Sequence, residues 1–392
     1  MTDKLYYENQ FLEEWQSEVK DIIQEKDKFL IVLASTAFFP GGGGQPADKG
    51  YIDDIEVIDV FEKDNIIYHV TNKKPKNNVV KCKLDFCKRF YYMQQHAGEH
   101  LLSAVLYKLY NTSNDGFHMG DDYVTIDNSI TNMTEEMVKE VEEMANEYIY
   151  KDLPITSYFV QHNDLENLEL RKECKVKENI RIVEIEGVDR IACCGTHVLS
   201  TGQIGLIKII KTEKYKGMTR IYFKCGKKAL EDYGNKHKII TNLSKHYALV
   251  EDEIVDRVKN DSNEIKRLLK EIKELKGAIA SHTVDDIIRN DNSHIIIIDF
   301  SNKDFEEIQI INNEILKRGE YITILVSEKD NRILFSNNST PTLHCGKIFK
   351  ENLWRFNGKG GGNEKSAQAA FKDKEDMFKF KNYLIGLLKE YK

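Results

Sequence analysis

Four consecutive glycines, Gly41 to Gly44 within TAFFPGGGGQPADKG (residues 36–50), set the first limit on how this 392-residue chain can fold. Such a run has no comfortable place in a helix or strand. It reaches positive φ freely and lets another backbone or a ligand come close. The segment therefore reads as a loop inserted between regular elements. Around it, FLIVLAST, YIDDIEVIDVF and NVVKCKLD are short apolar or alternating runs divided by turn formers. Residues 1–88 are accordingly expected to form a small β-barrel carrying the glycine-rich loop. A chain of this length exceeds one ordinary core, so further domains follow.

Residues 89–226 read as a mixed α/β domain. FYYMQQHAGEHLLSAVLYKLY places Met93, Ala97, Leu101 and Ala104 at helical spacing and predicts one long helix. TEEMVKEVEEMANEYIY predicts another, with Thr134 as N-cap and Val138, Val141, Ala145 and Tyr148 along the buried stripe. IGLIKIIKTEKYKGMTRIYFKCG reads as two strands joined around Lys216 and Gly217. Residues 227–283 are helical and charged, a connector in which Ile265, Leu268, Ile272, Leu275 and Ile279 recur in steps of three and four. That seam suits an intramolecular hairpin or a dimer zipper equally. Residues 284–392 return to α/β: HIIIIDF, YITILVSE and RILFSNN are strands, and FEEIQIINNEILKR is an amphipathic helix. In FNGKGGGNEKSAQAAF, Gly358 and Gly360 to Gly362 are expected to precede a helix opening near Ser366, an arrangement that can hold phosphate. The whole is a multidomain α+β chain.

Several classes fall away. The apolar run Ile295 to Ile298 is far short of the roughly 20 residues a membrane helix needs. The N-terminus lacks a basic region followed by an apolar stretch, so the expected location is the cytoplasm. Seven irregularly spaced cysteines argue for free thiols and against a disulfide framework. The net charge of −7 does not favour nucleic acid, but residues 340–392 carry eleven Lys/Arg against six Asp/Glu, a local balance of +5.

His96 and His100, four apart on a predicted helix, project from one face within reach of a single ion. In IACCGTHV, Cys193 and His197 are separated by three residues, with Gly195 letting the chain bend between them. Two histidines plus a Cys and a His make a borderline-soft donor set that suits Zn²⁺. Cys194 is expected to point away as a small buried hydrophobe. HAGEH is also H-x-x-E-H, the inverted metallopeptidase pattern with Glu99 as base, but that reading leaves Cys193 and His197 unemployed.

TAFFPGGGGQPAD, QQHAGEHLLS, ACCGTHV followed by TGQIG, and GKGGGNEKSAQ together resemble, in order, the freestanding alanyl-tRNA editing proteins of the long AlaX type, relatives of the editing half of alanyl-tRNA synthetase. With no adenylating domain before the first motif, the chain reads as an editor rather than a synthetase. The resemblance implies one Zn²⁺ on His96, His100, Cys193 and His197. It implies hydrolysis of seryl- or glycyl-tRNA(Ala), since a synthetase pocket for alanine cannot exclude glycine by size or strongly reject an added hydroxyl. It also places His118, in GFHMGDD, near the scissile ester. Gln45 with Gly42, Gly43 and Gly44 resembles the family's loop that closes over the acceptor end, and Thr36 is expected in the same wall. By the same resemblance, Arg220 is expected to meet a phosphate of the terminal CCA. The C-terminal segment, with Gly360, Gly361 and Gly362, resembles the DHH-associated domain, which binds tRNA and self-associates; a homodimer through it or through the helical connector follows. Glu99 is a departure, because the synthetases commonly carry a small polar residue there. It acts as base, tunes amino-acid choice, or faces away. Four protein ligands close a tetrahedral site, so either one is displaced or the metal orients the pocket while another group activates water. A non-catalytic tRNA-binding protein with structural zinc is the competing reading.

Overall fold

The computed structural model describes residues 2–120, 122–174, 178–290 and 293–389. It divides into two compact units, Met1–Lys245 and His246–Lys392.

In the first unit, six strands carry the N-terminal segment: β1 (Glu14–Glu25), β2 (Lys28–Leu33), β3 (Gly50–Ile52), β4 (Ile55–Lys63), β5 (Ile66–Thr71) and β6 (Val79–Leu84). Their ladders run β1-β2-β5-β4-β3-β6, and β6 pairs back onto β1, closing the barrel. Ile31, Leu33, Ile52, Val57, Val60 and Ile67 fill it, as the alternation along each strand requires.

Helix α1 (Phe86–Tyr110) follows, its first turn capped by the Asp85 carboxylate, which accepts from the Lys88 N–H at 3.1 Å. Every residue from Tyr92 to Leu106 is buried, so the helix is covered on all sides and serves as the axis of the domain. Gly98 has a packing reason: a Cβ there would lie 2.3 Å from Cys225 Sγ. Strands β7 (Asn114–Met119), β8 (Val124–Asn128), β12 (Ile207–Tyr215) and β13 (Met218–Cys225) form a sheet in the order β12-β13-β8-β7. Lys216 and Gly217, with φ of 50° and 82°, make the expected β12–β13 turn. Helix α2 (Glu135–Tyr150) is capped by Thr134 and buries Val141, Ala145 and Ile149 against α1 and this sheet. A second sheet pairs β9 (Ile155–Val160), β10 (Ile180–Ile185) and β11 (Asp189–Ala192). Helix α3 (Gly226–Tyr247) follows β13 directly.

In the second unit, α4 (Ile254–Asn290) leads into β14 (Ile295–Phe300), α5 (Phe305–Arg318), β15 (Ile322–Ser327) and β16 (Arg332–Asn337), the anticipated strand–helix–strand order. Ile265, Leu268, Ile272, Leu275 and Ile279 are all exposed along α4. The glycine-rich segment departs from expectation. Gly360–Gly362 do not precede a helix; they lie in β17 (Lys359–Gly362), which pairs with β18 (Ser366–Ala370) in a sheet ordered β14-β15-β16-β18-β17. Gly360 and Gly362 are needed there for approach: a Cβ on Gly360 would stand 2.0 Å from Gln368 O, and one on Gly362 2.1 Å from Ser366 O, while Gly361 faces open space. Helices α6 (Cys345–Asn352) and α7 (Lys374–Lys389) complete the unit around Phe335, Phe349 and Phe380. No helix among the described residues is long and apolar enough to cross a membrane.

Candidate metal centre and its cleft

His96 and His100 lie one turn apart on the buried middle of α1, so both rings are held by the helix itself. Across from them, the chain leaves β11 at Ala192 and turns through Cys193 and Gly195 to His197. The ligand atoms of these four residues all lie within 4.8 Å of one another. Cys193 Sγ is 3.5 Å from both His96 Nε2 and His197 Nε2. Tetrahedral zinc, with its usual bond lengths, spaces a sulfur and a nitrogen about 3.6 Å apart. Burial keeps the imidazoles neutral: His96 is pulled down to about 3, and His100 and His197 well below the usual range. Neutral imidazoles are what a metal requires. Burial pushes the Cys193 thiol up to about 12, so a metal must displace its proton. His100 Nδ1 and His197 Nδ1 are buried without a hydrogen-bond partner among the described residues. The donor chemistry, the spacing and these orphaned atoms fit a single metal ion.

Gln45 sets the protonation of His96. Its Oε1 accepts from the Thr196 N–H at 3.1 Å, and its Nε2 donates to Thr196 Oγ1 at 2.8 Å, which fixes the orientation of the amide. The same Oε1 lies 2.8 Å from His96 Nδ1, so Nδ1 carries the proton and Nε2 presents its lone pair to the cluster. Gly195 leaves room for this contact, since a Cβ there would meet His96 Nδ1 at 2.3 Å. Arg181 clamps the turn by donating from Nη1 to Cys193 O at 2.9 Å and Gly195 O at 2.8 Å.

The cluster opens on a cleft of about 370 Å³. Glu99 lines it and does not face away: Oε1 accepts from Ser103 Oγ at 2.8 Å and Asn114 Nδ2 at 2.6 Å, while Oε2 lies 3.7 Å from His100 Nε2. Burial raises its carboxyl above the ordinary range. Arg171, which also lines the cleft, is held in a bidentate pair by Asp189. The glycine-rich loop forms the rim. Gly42 and Gln45 exchange two backbone hydrogen bonds, Gly42 to Gly44 all have positive φ, and Gly44 packs flush on Phe117.

Some expected residues lie elsewhere. Thr36 is buried at the barrel, where Oγ1 pairs with His69 Nε2 at 2.8 Å, outside the cleft. His118 is exposed on β7; alternation along the strand directs it opposite to Phe117, which stacks on His96. Asp121 of the same segment lies outside the described residues. Arg220 grips Asp127 through Nε and Nη2 and lies over Tyr215. Cys194, expected to be buried, is exposed and lines the cleft, because β11 ends before it and strand alternation no longer applies. Sequence reading missed Arg171, Arg181, Asp189 and Thr196. Only Thr196 carried a signal, its place inside ACCGTHV. The Cys193–His197 pair takes the ligand places that the metallopeptidase pattern left unspecified.

Residues 180–222 match the model of the threonyl and alanyl tRNA synthetase second additional domain, and residues 291–390 match the DHHA1 domain. The two modules define a class: proteins that carry the second additional domain of threonyl and alanyl tRNA synthetases together with a DHHA1 domain. The chain is 34% identical to alanyl-tRNA editing protein AlaX-L of Pyrococcus horikoshii, over 96% of this chain and 97% of that one. It is 29% identical to alanyl-tRNA editing protein Aarsd1-B of Xenopus laevis, over 80% and 78%. The alanine–tRNA ligase of Methanobrevibacter smithii is 30% identical over 99% of this chain, which spans 46% of the ligase. The chain belongs to the alanyl-tRNA editing proteins of the long AlaX type.

Proposed function

We propose that this protein is a trans-editing deacylase that hydrolyses the ester of tRNA(Ala) mischarged with serine or glycine. One observation carries the reading: four side chains able to hold a metal ion stand at a cleft lined by a buried carboxylate and rimmed by bare glycine backbone. His96, His100, Cys193 and His197 hold Zn²⁺, which when bound polarises the ester carbonyl or acidifies a water. Glu99, aimed by Ser103 and Asn114 and made more basic by burial, takes the proton of the attacking water. The rim from Gly42 to Gly44 closes over the terminal adenosine through backbone groups. Gln45 acts through His96. Gly360 to Gly362 and Arg220 contribute to holding tRNA at a distance from the ester, in the cytoplasm. The exposed apolar seam along α4 supports self-association with a second copy.

The test is release of amino acid from seryl-, glycyl- and alanyl-tRNA(Ala) by wild type and by His96→Ala/His100→Ala, with metal analysis of both. Release of serine or glycine with alanine spared, lost together with the metal in the variant, is the expected result. Binding of charged tRNA without hydrolysis by the metal-loaded wild type would leave a structural metal in a non-catalytic protein.

A further inference from the structure

Beside the glycine-rich rim lies a second cleft, of about 540 Å³, to which the editing chemistry assigns nothing. Its walls are Tyr91, half-buried near the start of α1 with the buried Tyr92 beside it, and Lys88, Lys227 and Lys228 from the first turns of α1 and α3. Lys88 Nζ stands 5.8 Å from the Tyr92 ring centre, and Lys228 Nζ 6.0 Å from that of Tyr91. Asp85 and Glu231 also line the cleft, yet none of the three ammonium groups forms an ion pair among the described residues. Asp85 is engaged by the backbone at the α1 cap. Aromatic faces with unpaired cations beside them are how proteins hold a single-stranded nucleotide: the ring stacks on the base and the cation meets the phosphate.

Two chain segments line both this cleft and the metal site. The glycine-rich turn gives Gly43 to the metal cleft and Pro46 to the second one. Strand β7 gives Phe117 to the first, and Met119 with the following Gly120 to the second. Phe117 and Met119 are two residues apart on one face, about 7 Å along a strand.

We propose that the second cleft binds the nucleotide immediately preceding the terminal adenosine, the penultimate cytidine of the acceptor end, and so draws the ester into the metal cleft. The proposal rests on the editing reading above. It makes this cleft a substrate subsite separate from the reacting atoms, with Tyr91 and Lys228 as its main contacts.

The experiment compares kcat/KM for the seryl ester of adenosine with that for the seryl ester of the CpA dinucleotide. Full-length protein is used: wild type, Tyr91→Ala, and the milder Lys228→Gln. Wild type is expected to favour the dinucleotide, and Tyr91→Ala to lower that preference about five- to 150-fold, the usual range for one stacked base. Lys228→Gln should lower it less, with more loss at low salt. A wild type that treats both esters alike, or variants that lose equally on both, would overturn the proposal and leave the editing reading standing. A metal-loaded wild type that hydrolyses neither ester, nor seryl-tRNA, would overturn both.

Discussion

Gln45→Leu removes an amide from the metal site without touching a ligand. The side chain is buried and makes three contacts, at 2.8 Å to His96 Nδ1, 3.1 Å to the Thr196 N–H and 2.8 Å to Thr196 Oγ1. Leucine fills similar space and supplies none of them. Two consequences follow. The buried Thr196 N–H and His96 Nδ1–H lose their acceptor, costing about 1–3 kcal/mol each in the metal-free fold. His96 also loses the partner that fixes its tautomer, a change that typically lowers metal affinity 10–100-fold, or about 1.4–2.7 kcal/mol. Gln45→Glu keeps an acceptor opposite Nδ1 and should bind zinc close to wild type, since carboxylate–histidine pairing is common behind metal ligands. Competition against a chromophoric chelator reads the affinity, and deacylation of seryl-tRNA at saturating zinc reads the consequence. The Leu variant should bind zinc at least tenfold more weakly, yet recover most turnover once loaded. Zinc binding by Gln45→Leu within about twofold of wild type would refute the tautomer argument. Full occupancy with lost turnover would instead put Gln45 in contact with substrate.

Three further outcomes are expected. Glu99→Gln should retain zinc and the Ser103 contact while deacylation falls about 10²–10⁴-fold; unchanged turnover would remove Glu99 as the base. Arg89, fully buried, pairs with Asp48 and donates to Ala37 O and Gln10 O, tying the glycine-rich segment to α1. Arg89→Met leaves an unpaired buried carboxylate, costing about 3–5 kcal/mol; the first unit should melt about 6–20 °C lower by calorimetry, and Asp48→Leu in the same chain should restore part of it. An unshifted single variant would show the pair to be unimportant. His69 is buried in the barrel and pulled down from 6.5 to about 4 by desolvation. The unfolded chain therefore binds a proton that the native state refuses between those values, and stability falls as pH drops through that window, by about 3 kcal/mol in all. Urea unfolding at pH 5 and 7.5 should show a steeper loss in wild type than in His69→Gln; equal slopes would sink the assignment.

What the sequence disclosed about this fold follows from which interactions are local. α1 was legible because Met93, Ala97, Leu101 and Ala104 repeat at helical spacing, and that spacing alone brings His96 and His100 onto one face. The β12–β13 turn at Lys216 and Gly217 and the Thr134 cap are likewise decisions made within a few residues. Gly360–Gly362 misled because glycine marks a turn and a close strand contact alike. Glycines ahead of SAQAA read as a loop and a helix start, but the bare Cα atoms of Gly360 and Gly362 are demanded by the carbonyls of Gln368 and Ser366 on the paired strand, a contact that glycine composition does not announce. Cys194 misled for the opposite reason, since an alternation rule was applied past the end of a strand.

The same division separates the ligands from the groups that govern them. His96, His100, Cys193 and His197 form two short motifs, each with its own spacing, and a donor count is enough to connect them. Gln45 is 51 residues from His96, and Arg181 reaches the Cys193 turn only because β10 pairs with β11. Arg171 and Asp189 meet as a buried pair from separate segments. None of these belongs to a spacing pattern with the residue it controls. The barrel loop thus supplies the tautomer, the β10–β11 hairpin supplies the bend, and α1 supplies the rigid pair. A change in any of the three should act on the metal before it acts on the substrate, and zinc affinity is therefore the measurement that separates this site from a simple tRNA-binding surface.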